Sequence, residues 1–370
     1  MTRDSPRHGR QRFTPFFDPV SDPNPVPAGR RAPADAPAST GPDSKLPRCF
    51  HALGEGTVRR DRSVRDIAHA VREGDGTLWV DIDSSSRQQL ALLEKVFNFH
   101  PLAIEDVLNP LSRPKVEQYD GYLFVTVRVV RFCDETIDPY DLETDNLYFF
   151  LGPTYVVTVH AGVSPNVDSV ADVALRTPDL VSRGAARLAH HIMDNAVDAF
   201  FPILDRIDEF LDSIEERVFA RFDEEALRDI FSVKRMVLSL RRYLAPQRET
   251  FNILSNRPSP LLPADVQLYF RDIYDHMLRI NDSLDTYRDL LGSTMESYLS
   301  QVSNRLNVVT KGLSVVATLS VPFVVVSGMW GMNFTRIPLS SHPYGFEIML
   351  LAQLVLGVGL IWLFRNRKWL

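Results

Sequence analysis

The chain has 370 residues, of which 45% are hydrophobic and 24% are charged, and its formal net charge is −6. This length allows a substantial core and excludes a small disulfide-stabilised scaffold. The acidic balance argues against a general nucleic-acid-binding protein, since such proteins present a basic surface to phosphates. Cys49 and Cys133 are the two cysteines, too few for a disulfide framework or a Cys-rich metal site, so a reducing compartment is expected.

The first 45 residues are rich in Pro, Ala, Asp and Ser and have no apolar periodicity. Such a segment buries too little apolar surface to offset the entropy of ordering, which predicts a disordered tail over 1–45. Met1–Arg12 is polar throughout and lacks the apolar region of a signal peptide. The N-terminus is therefore expected on the cytoplasmic side.

Residues 46–184 alternate β-type runs with helical segments. The runs are "TLWVDI", "YLFVTVRVV", "LYFFLG" and "TYVVTVH", and helices are expected around Ser86–Val96 and at Pro101–Leu108. This pattern predicts a cytoplasmic α/β domain. A helical cytoplasmic region is expected over 185–262, interrupted near "APQRETFNILSNRPSPLLP".

Two segments near the C-terminus are apolar enough for a bilayer. Gly312–Thr335 is 24 residues long and Ile348–Phe364 is 17 residues long, and neither contains a charge; about 20 residues cross the hydrocarbon core. A buried core helix is the alternative, but little chain remains to cover two such segments. The predicted C-terminal units are a long stalk helix continuing into the first span (263–330), an external loop (331–347), a second span (348–364) and a basic tail (365–370).

The charges that flank the two spans predict their orientation. Arg365, Arg367 and Lys368 follow the second span, and Arg305 and Lys311 precede the first. Basic residues concentrate on the cytoplasmic side of membrane proteins. We therefore expect a multi-pass protein of the cell (inner) membrane with both termini in the cytoplasm.

One face of the first span carries small or weakly polar residues. In steps of three and four, this pore stripe, as we name it, consists of Asn307, Thr310, Ser314, Ala317, Val321, Val324 and Gly328. Two helices cannot enclose water, so a conducting assembly would need several copies with one such face around an axis. Small residues at this spacing equally serve close helix packing, and the spacing alone leaves both interpretations open.

The stretch "WGMNFTRIP" followed by a second span and "FRNRKWL" resembles the CorA family of magnesium/cobalt transporters. The resemblance extends to "FHPLAIEDVLNPLSRPKVEQYDGYLFVTVRV" (99–129), to "YFFLGPTYVVTVH" (148–160) and to residues 271–323. It covers nearly everything from Leu46 to Leu370. It implies a funnel-shaped homopentamer that lets Mg²⁺ enter the cell, with Co²⁺ and Ni²⁺ as further candidates, gated by intracellular Mg²⁺.

The resemblance also implies which residues line the pore. Asn333 of the Gly331-Met332-Asn333 tripeptide would form the outer selectivity filter, where a ring of amide oxygens holds Mg²⁺ with its inner waters retained. The remaining family positions are Gly328, Leu313 at a hydrophobic constriction and Asn307 at a cytoplasmic ring. Thr310 and Val321 stand where relatives often have Met, and Val324 lies between Val321 and Gly328 on the stripe.

The family places an intersubunit Mg²⁺ sensor at positions that match Asp106 and Asp272, with Glu105 and Asp275 beside them. Two carboxylates from neighbouring subunits repel when empty and are bridged by a divalent ion. The alternative is that Asp106 caps or salt-bridges locally and that Asp272 is an exposed helix residue.

Other classes of protein leave their own signatures. The sequence has no Walker loop, no GxGxxG motif and no GxSxG motif, so neither an enzyme nor an organic cofactor is expected. The expected partners are divalent cations, membrane lipid and further copies of the chain, without nucleic acid. A zinc transporter of the same superfamily and a non-conducting membrane-tethered sensor remain as alternatives.

Overall fold

The computed structural model describes residues 46–53, 58–60, 62–109, 112–133, 136, 139–220, 224–332, 338–339 and 342–367. The predicted disordered tail (1–45), Asn333 and Lys368 lie outside these residues. Within them, the chain folds into an α/β part, a group of long helices and two apolar C-terminal helices. This confirms the expected order of an α/β domain, a long helix and two candidate spans.

The α/β part is built on a seven-stranded sheet with the strand order β2-β1-β3-β7-β6-β5-β4. Only β3 and β7 pair in parallel among the described strands. The strands are β1 Arg48–Ala52, β2 Val58–Arg60, β3 Thr77–Asp83, β4 Lys115–Tyr119, β5 Tyr122–Phe132, β6 Leu142–Leu151 and β7 Tyr155–His160.

Ten helices accompany the sheet in the part of the chain that the structure describes. Their bounds are α1 Val64–Glu73, α2 Arg87–Lys95, α3 Pro101–Leu108, α4 Pro165–Arg176, α5 Asp179–Ser182, α6 Ala185–Asp198, α7 Phe201–Ala220, α8 Glu224–Asn256, α9 Ala264–Trp330 and α10 Gly345–Asn366. The helices expected around Ser86–Val96 and at Pro101–Leu108 are α2 and α3.

The sheet separates two hydrophobic cores because successive side chains of a strand point to opposite faces. In β3, Val80 packs into a core shared with α1, α2 and α3, whereas Trp79 packs into a core that continues through α4 and α6 to α9. Both side chains are completely buried. The second core therefore connects the sheet to the long helices.

The interruption predicted near "APQRETFNILSNRPSPLLP" is wrong for its first part, because α8 continues to Asn256 with Pro246 inside it. Proline removes one backbone donor and disfavours a helix interior. Here Gln247, Phe251 and Leu254 are buried, and the backbone N–H of Arg128 donates to Oε1 of Gln247 at 2.7 Å. This packing outweighs the cost of the proline.

Helix α9 has 67 residues and so extends about 100 Å. Its buried residues recur in alternate steps of four and three, which is the seam of a helix packed as in a coiled coil. These residues are Val266, Phe270, Ile273, Met277, Ile280, Leu284, Tyr287, Leu291, Thr294 and Tyr298. The seam packs on α6, α7 and α8 and ends before the apolar C-terminal part of the helix.

Candidate pore and metal-binding residues

Helix α9 ends at Trp330, immediately before the tripeptide that the sequence singles out. The N–H of Gly331 lies 3.1 Å from the carbonyl oxygen of Ser327 and 3.2 Å from that of Gly328, and the N–H of Met332 donates to the carbonyl of Met329 at 3.3 Å. Gly331 is the C-cap of the helix. Gly331 and Met332 thus sit at the exposed end of the first candidate span, immediately before Asn333.

One side of α9 packs on α10. Gly357 of α10 is buried, and a Cβ atom there would lie 2.8 Å from Cζ of Phe323. A Cβ atom at Gly345 would lie 3.4 Å from the indole of Trp330 and would also contact the carbonyl oxygen of Leu339. The α9 residues that are at least half-buried on this side are Val315, Leu319, Pro322, Phe323, Val326 and Trp330.

The pore stripe lies on the opposite side of α9. At 3.6 residues per turn each residue advances about 100°, so the centre of the stripe is about half a turn from the side that faces α10. All seven stripe residues are exposed, as is Leu313; Leu313 is 70% exposed and Val324 is 68% exposed. Helix geometry therefore places the pore stripe on one surface of α9 that the described residues leave exposed.

The hydroxyl of Ser314 donates to the carbonyl oxygen of Thr310 at 2.9 Å, one turn earlier. Hydroxyls in apolar helices are commonly satisfied in this way. Since the proton is used inside the helix, the lone pairs of the oxygen remain available at the surface. Ser314 thus presents a hydrogen-bond acceptor on the stripe, of the kind that a water molecule can donate to.

Asp106 lies in α3 and has partners within its own chain. Its Oδ2 is 2.7 Å from Nζ of Lys115, and the hydroxyl of Ser112 donates to its Oδ1 at 3.2 Å. Burial lowers the pKa of Lys115, but the carboxylates of Asp106 and Glu117 raise it more. The neighbouring Glu105 is exposed. In a single chain, the local salt bridge that the sequence left as an alternative is therefore present.

Asp272 lies in α9, 71% exposed, with its Oδ2 3.8 Å from Nε2 of His276; Asp275 is also exposed. The core of α3 and the core of α9 are on opposite faces of the sheet. Among the described residues, Asp106 and Asp272 share no hydrogen bond or ion pair.

A group of donors beside Asp272 was missed in the sequence. One ligand atom each from Asp194, Asp198 and His276 lies within 4.8 Å of the others, and Nδ1 of His276 is 3.2 Å from Oδ1 of Asp198. Burial raises the pKa of Asp194, and the charge of Asp198 adds to the effect. These oxygens and this imidazole could hold a divalent ion. In the sequence Asp194 and Asp198 form one pair at i, i+4 spacing, but nothing local connects this pair to His276 on a distant helix.

The α/β domain is followed by the long helix α9, whose C-terminal part is apolar and exposed and packs on a second apolar helix, α10. This is the architecture of a two-span membrane transporter. Both C-terminal helices are long and apolar enough to cross a membrane. The model of the family described as "CorA-like Mg2+ transporter protein" matches residues 74–367.

Individual relatives agree with the family model. The protein YfjQ of Bacillus subtilis (strain 168) is 33% identical over 79% of this chain and 89% of its own length. The cobalt/magnesium transport protein CorA of Thermotoga maritima is 30% identical over 81% of this chain and 85% of its own. The complete structure of the CorA magnesium transporter from Methanocaldococcus jannaschii superposes with a TM-score of 0.76 at 20% identity, covering 88% of this chain and 99% of that one.

The chain belongs to the CorA family, whose members transport divalent metal cations across membranes. The resemblance noted in the sequence is confirmed. Members of this family are transporters and not enzymes, in agreement with the sequence.

Proposed function

We propose that this chain is the subunit of a homopentameric channel that lets Mg²⁺, and with it Co²⁺ or Ni²⁺, enter the cell across the inner membrane, with both termini in the cytoplasm. The observation that carries the proposal is the pore stripe. It is exposed over its whole length, lies opposite the side of α9 packed on α10 and leads to Gly331 and Met332. Further copies meeting along this face would enclose it.

In this assembly each part of the face has a role. The amide oxygen of Asn333 would accept hydrogen bonds from the waters of Mg²⁺, which loses its inner shell reluctantly. Gly328 would let the helices converge below it, Leu313 would form an apolar constriction, and Asn307 would form the cytoplasmic ring. Thr310, Val321 and Val324 would line the passage between them, with Gly331 and Met332 shaping its mouth.

We further propose that internal Mg²⁺ closes the channel by bridging Asp106 of one subunit and Asp272 of the next, with Glu105 and Asp275 nearby. The exposure of Asp272 supports this role. The Lys115 ion pair means that the divalent ion must compete for, or share, the Asp106 carboxylate. Since α9 continues from Asp272 into the first span, a shift at the sensor would be transmitted along one helix.

The test is uptake of Mg²⁺, Co²⁺, Ni²⁺ and Zn²⁺ into proteoliposomes, together with the mass of the assembly in detergent. We expect Mg²⁺ uptake from the unmodified protein, loss of uptake in Asn333→Ala, and a mass of five chains. Asn256→Ala, which changes the same residue type at the end of α8, is the matched control and should conduct normally. A monomer, or uptake that survives Asn333→Ala, would contradict the proposed pore.

The two alternatives predict different outcomes of the same assay. The zinc transport protein ZntB of Yersinia enterocolitica serotype O:8 is 24% identical over 81% of this chain, so uptake of Zn²⁺ in preference to Mg²⁺ would favour a zinc transporter. Absence of uptake of every divalent ion above empty vesicles would favour a membrane-tethered sensor.

A further inference from the structure

A cavity of about 250 Å³ lies on the sheet face that carries α4 and α6. It is lined by the end of β7, the beginning of α4, and apolar side chains that include Leu147 and Ile203. The ends of strands that lead into helices are frequent ligand sites in α/β sheets. The volume suits a molecule of few heavy atoms, smaller than the usual cofactor.

His160, the last residue of β7, lines this cavity, and its ring nitrogens make no hydrogen bond in the described part of the chain. The side chain is only 7% exposed, and Nε2 lies 3.2 Å from Oδ1 of Asp81. Both ring nitrogens, Nδ1 and Nε2, are buried and lack a hydrogen-bond partner among the residues that the structure describes. A buried polar atom without a partner is costly, which points to a ligand atom in the cavity.

The charged and polar groups behind His160 determine whether its ring nitrogens donate or accept hydrogen bonds. The carboxylate of Asp81 accepts from the guanidinium of Arg48 and, at 2.6 Å, from the hydroxyl of Thr158. Burial favours the neutral forms of both residues, but their mutual interaction dominates: the pKa of His160 is raised and that of Asp81 is lowered. When it is protonated, the imidazole carries an N–H at both ring nitrogens, so Nδ1 can donate while Nε2 stays beside Asp81.

The beginning of α4 supplies further donors at the same place. This helix has 12 residues, and its N-cap, Ser164, makes no capping hydrogen bond with its side chain. Ser164 and Asn166 both line the cavity. The first N–H groups of a helix have no partner within it and attract anions. His160 and the open start of α4 therefore line one cavity.

The outer part of the cavity has the opposite character. Glu143 is neutralised by Arg131, with 2.7 Å between the guanidinium and the carboxylate, while Asp145 stands exposed on the same rim. A negative charge at the entrance disfavours dianions such as phosphate. The walls between rim and donors are apolar, at Val129, Leu147 and Ile203.

We propose that this cavity binds a small monocarboxylate with an apolar body, with the carboxylate beside the His160 imidazole and the first amides of α4, and the body against Leu147 and Ile203. The site is far in the fold from the pore stripe, on the sheet and not on the C-terminal half of α9. It is independent of the proposed transport.

Isothermal titration of the full-length protein in detergent tests the proposal with isovalerate as the probe. We expect saturable binding of isovalerate and no binding of isovaleramide, which has the same body without the charge. Loss of a hydrogen bond to a charged group weakens binding about tenfold or more, so His160→Gln should show this loss. His69→Gln, at an exposed histidine of α1, is the matched control and should bind normally.

A second variant keeps the test decisive if His160→Gln does not fold. Ala199 lines the cavity and has helical backbone angles, so Ala199→Leu should fill the space and abolish binding while Mg²⁺ uptake is unchanged. The proposal is overturned if isovalerate does not bind, if isovaleramide or inorganic phosphate binds as well or better, or if Ala199→Leu binds like the unmodified protein. Failure of ion uptake would leave this binding result standing.

Discussion

The contact between Gly357 and Phe323 gives a sharp test of how α9 and α10 pack. Gly357→Ala places a Cβ atom 2.8 Å from Cζ of Phe323, so the ring must shift. Overpacking of this kind costs about 1–3 kcal/mol, whereas alanine improves helix propensity by about 1 kcal/mol over glycine. Gly357→Ala should therefore leave the free energy of unfolding unchanged or lower it by up to about 2 kcal/mol.

Gly359 provides the matched control on the same helix, because a Cβ atom there meets nothing within 4 Å. Gly359→Ala gains helix propensity without making a new contact. The free energies of unfolding of the two variants should therefore differ by about 1–3 kcal/mol, which is the cost of the contact with Phe323. Thermal unfolding of the detergent-solubilised protein, followed by circular dichroism, should show Gly357→Ala melting several degrees below Gly359→Ala.

A double variant adds a check on the partner. Phe323→Leu shortens the side chain that Gly357→Ala would strike, so the pair should be less destabilised than the sum of the two changes. Equal melting temperatures for Gly357→Ala and Gly359→Ala, or strict additivity in the double variant, would refute the described packing of the two apolar helices.

Three further predictions concern the remainder of the chain. Lys115→Met frees the Asp106 carboxylate, so if the proposed sensor exists, internal Mg²⁺ should close the channel at lower concentration in flux assays; an unchanged dependence would remove Asp106 from the sensor. Because the pKa of His160 is raised, its pair with Asp81 stabilises the fold fully below about pH 6.5. This stabilisation decreases as the pH rises through the folded-state pKa. Melting temperatures should fall over that range, and the fall should be smaller in His160→Gln. Phe270→Ala, in the buried seam of α9, should lower the free energy of unfolding by about 3–5 kcal/mol in denaturant titrations. Leu268→Ala, at a side chain that is 61% exposed, should lower it little. Similar losses in the two variants would contradict the described seam.

The parts of the fold that were predictable are those with local signals. The absence of charge in Gly312–Thr335 and Ile348–Phe364 indicates apolar surroundings, whichever helices or lipids provide them. The long run after Pro263, which is poor in Gly and Pro, predicts one helix. Pro246 misled the prediction because its local cost is opposed by Gln247 and Phe251, whose burial depends on α9 and on the sheet. Propensity alone cannot measure that packing.

The candidate site divides in the same way. The spacing of the pore stripe from Asn307 onward follows from helix geometry, so the sequence was sufficient to place these residues on one face. The grouping of Asp194, Asp198 and His276 requires knowledge of how α6 meets α9, and no local pattern contains it. The Asp106–Lys115 ion pair likewise depends on how the chain turns from α3 into β4.

The packed seam of α9 ends at Tyr298, although the helix continues to Trp330. Up to that point α9 is held by α6, α7 and α8, and Val302 still packs against the same core. The apolar C-terminal part of the helix packs on α10. In water the backbone bonds of this second half would compete with solvent, but in hydrocarbon they have no competitor. The first half of α9 is thus stabilised by packing on protein and the second half by surrounding lipid. Removal of lipid would loosen the second half and leave the first half folded.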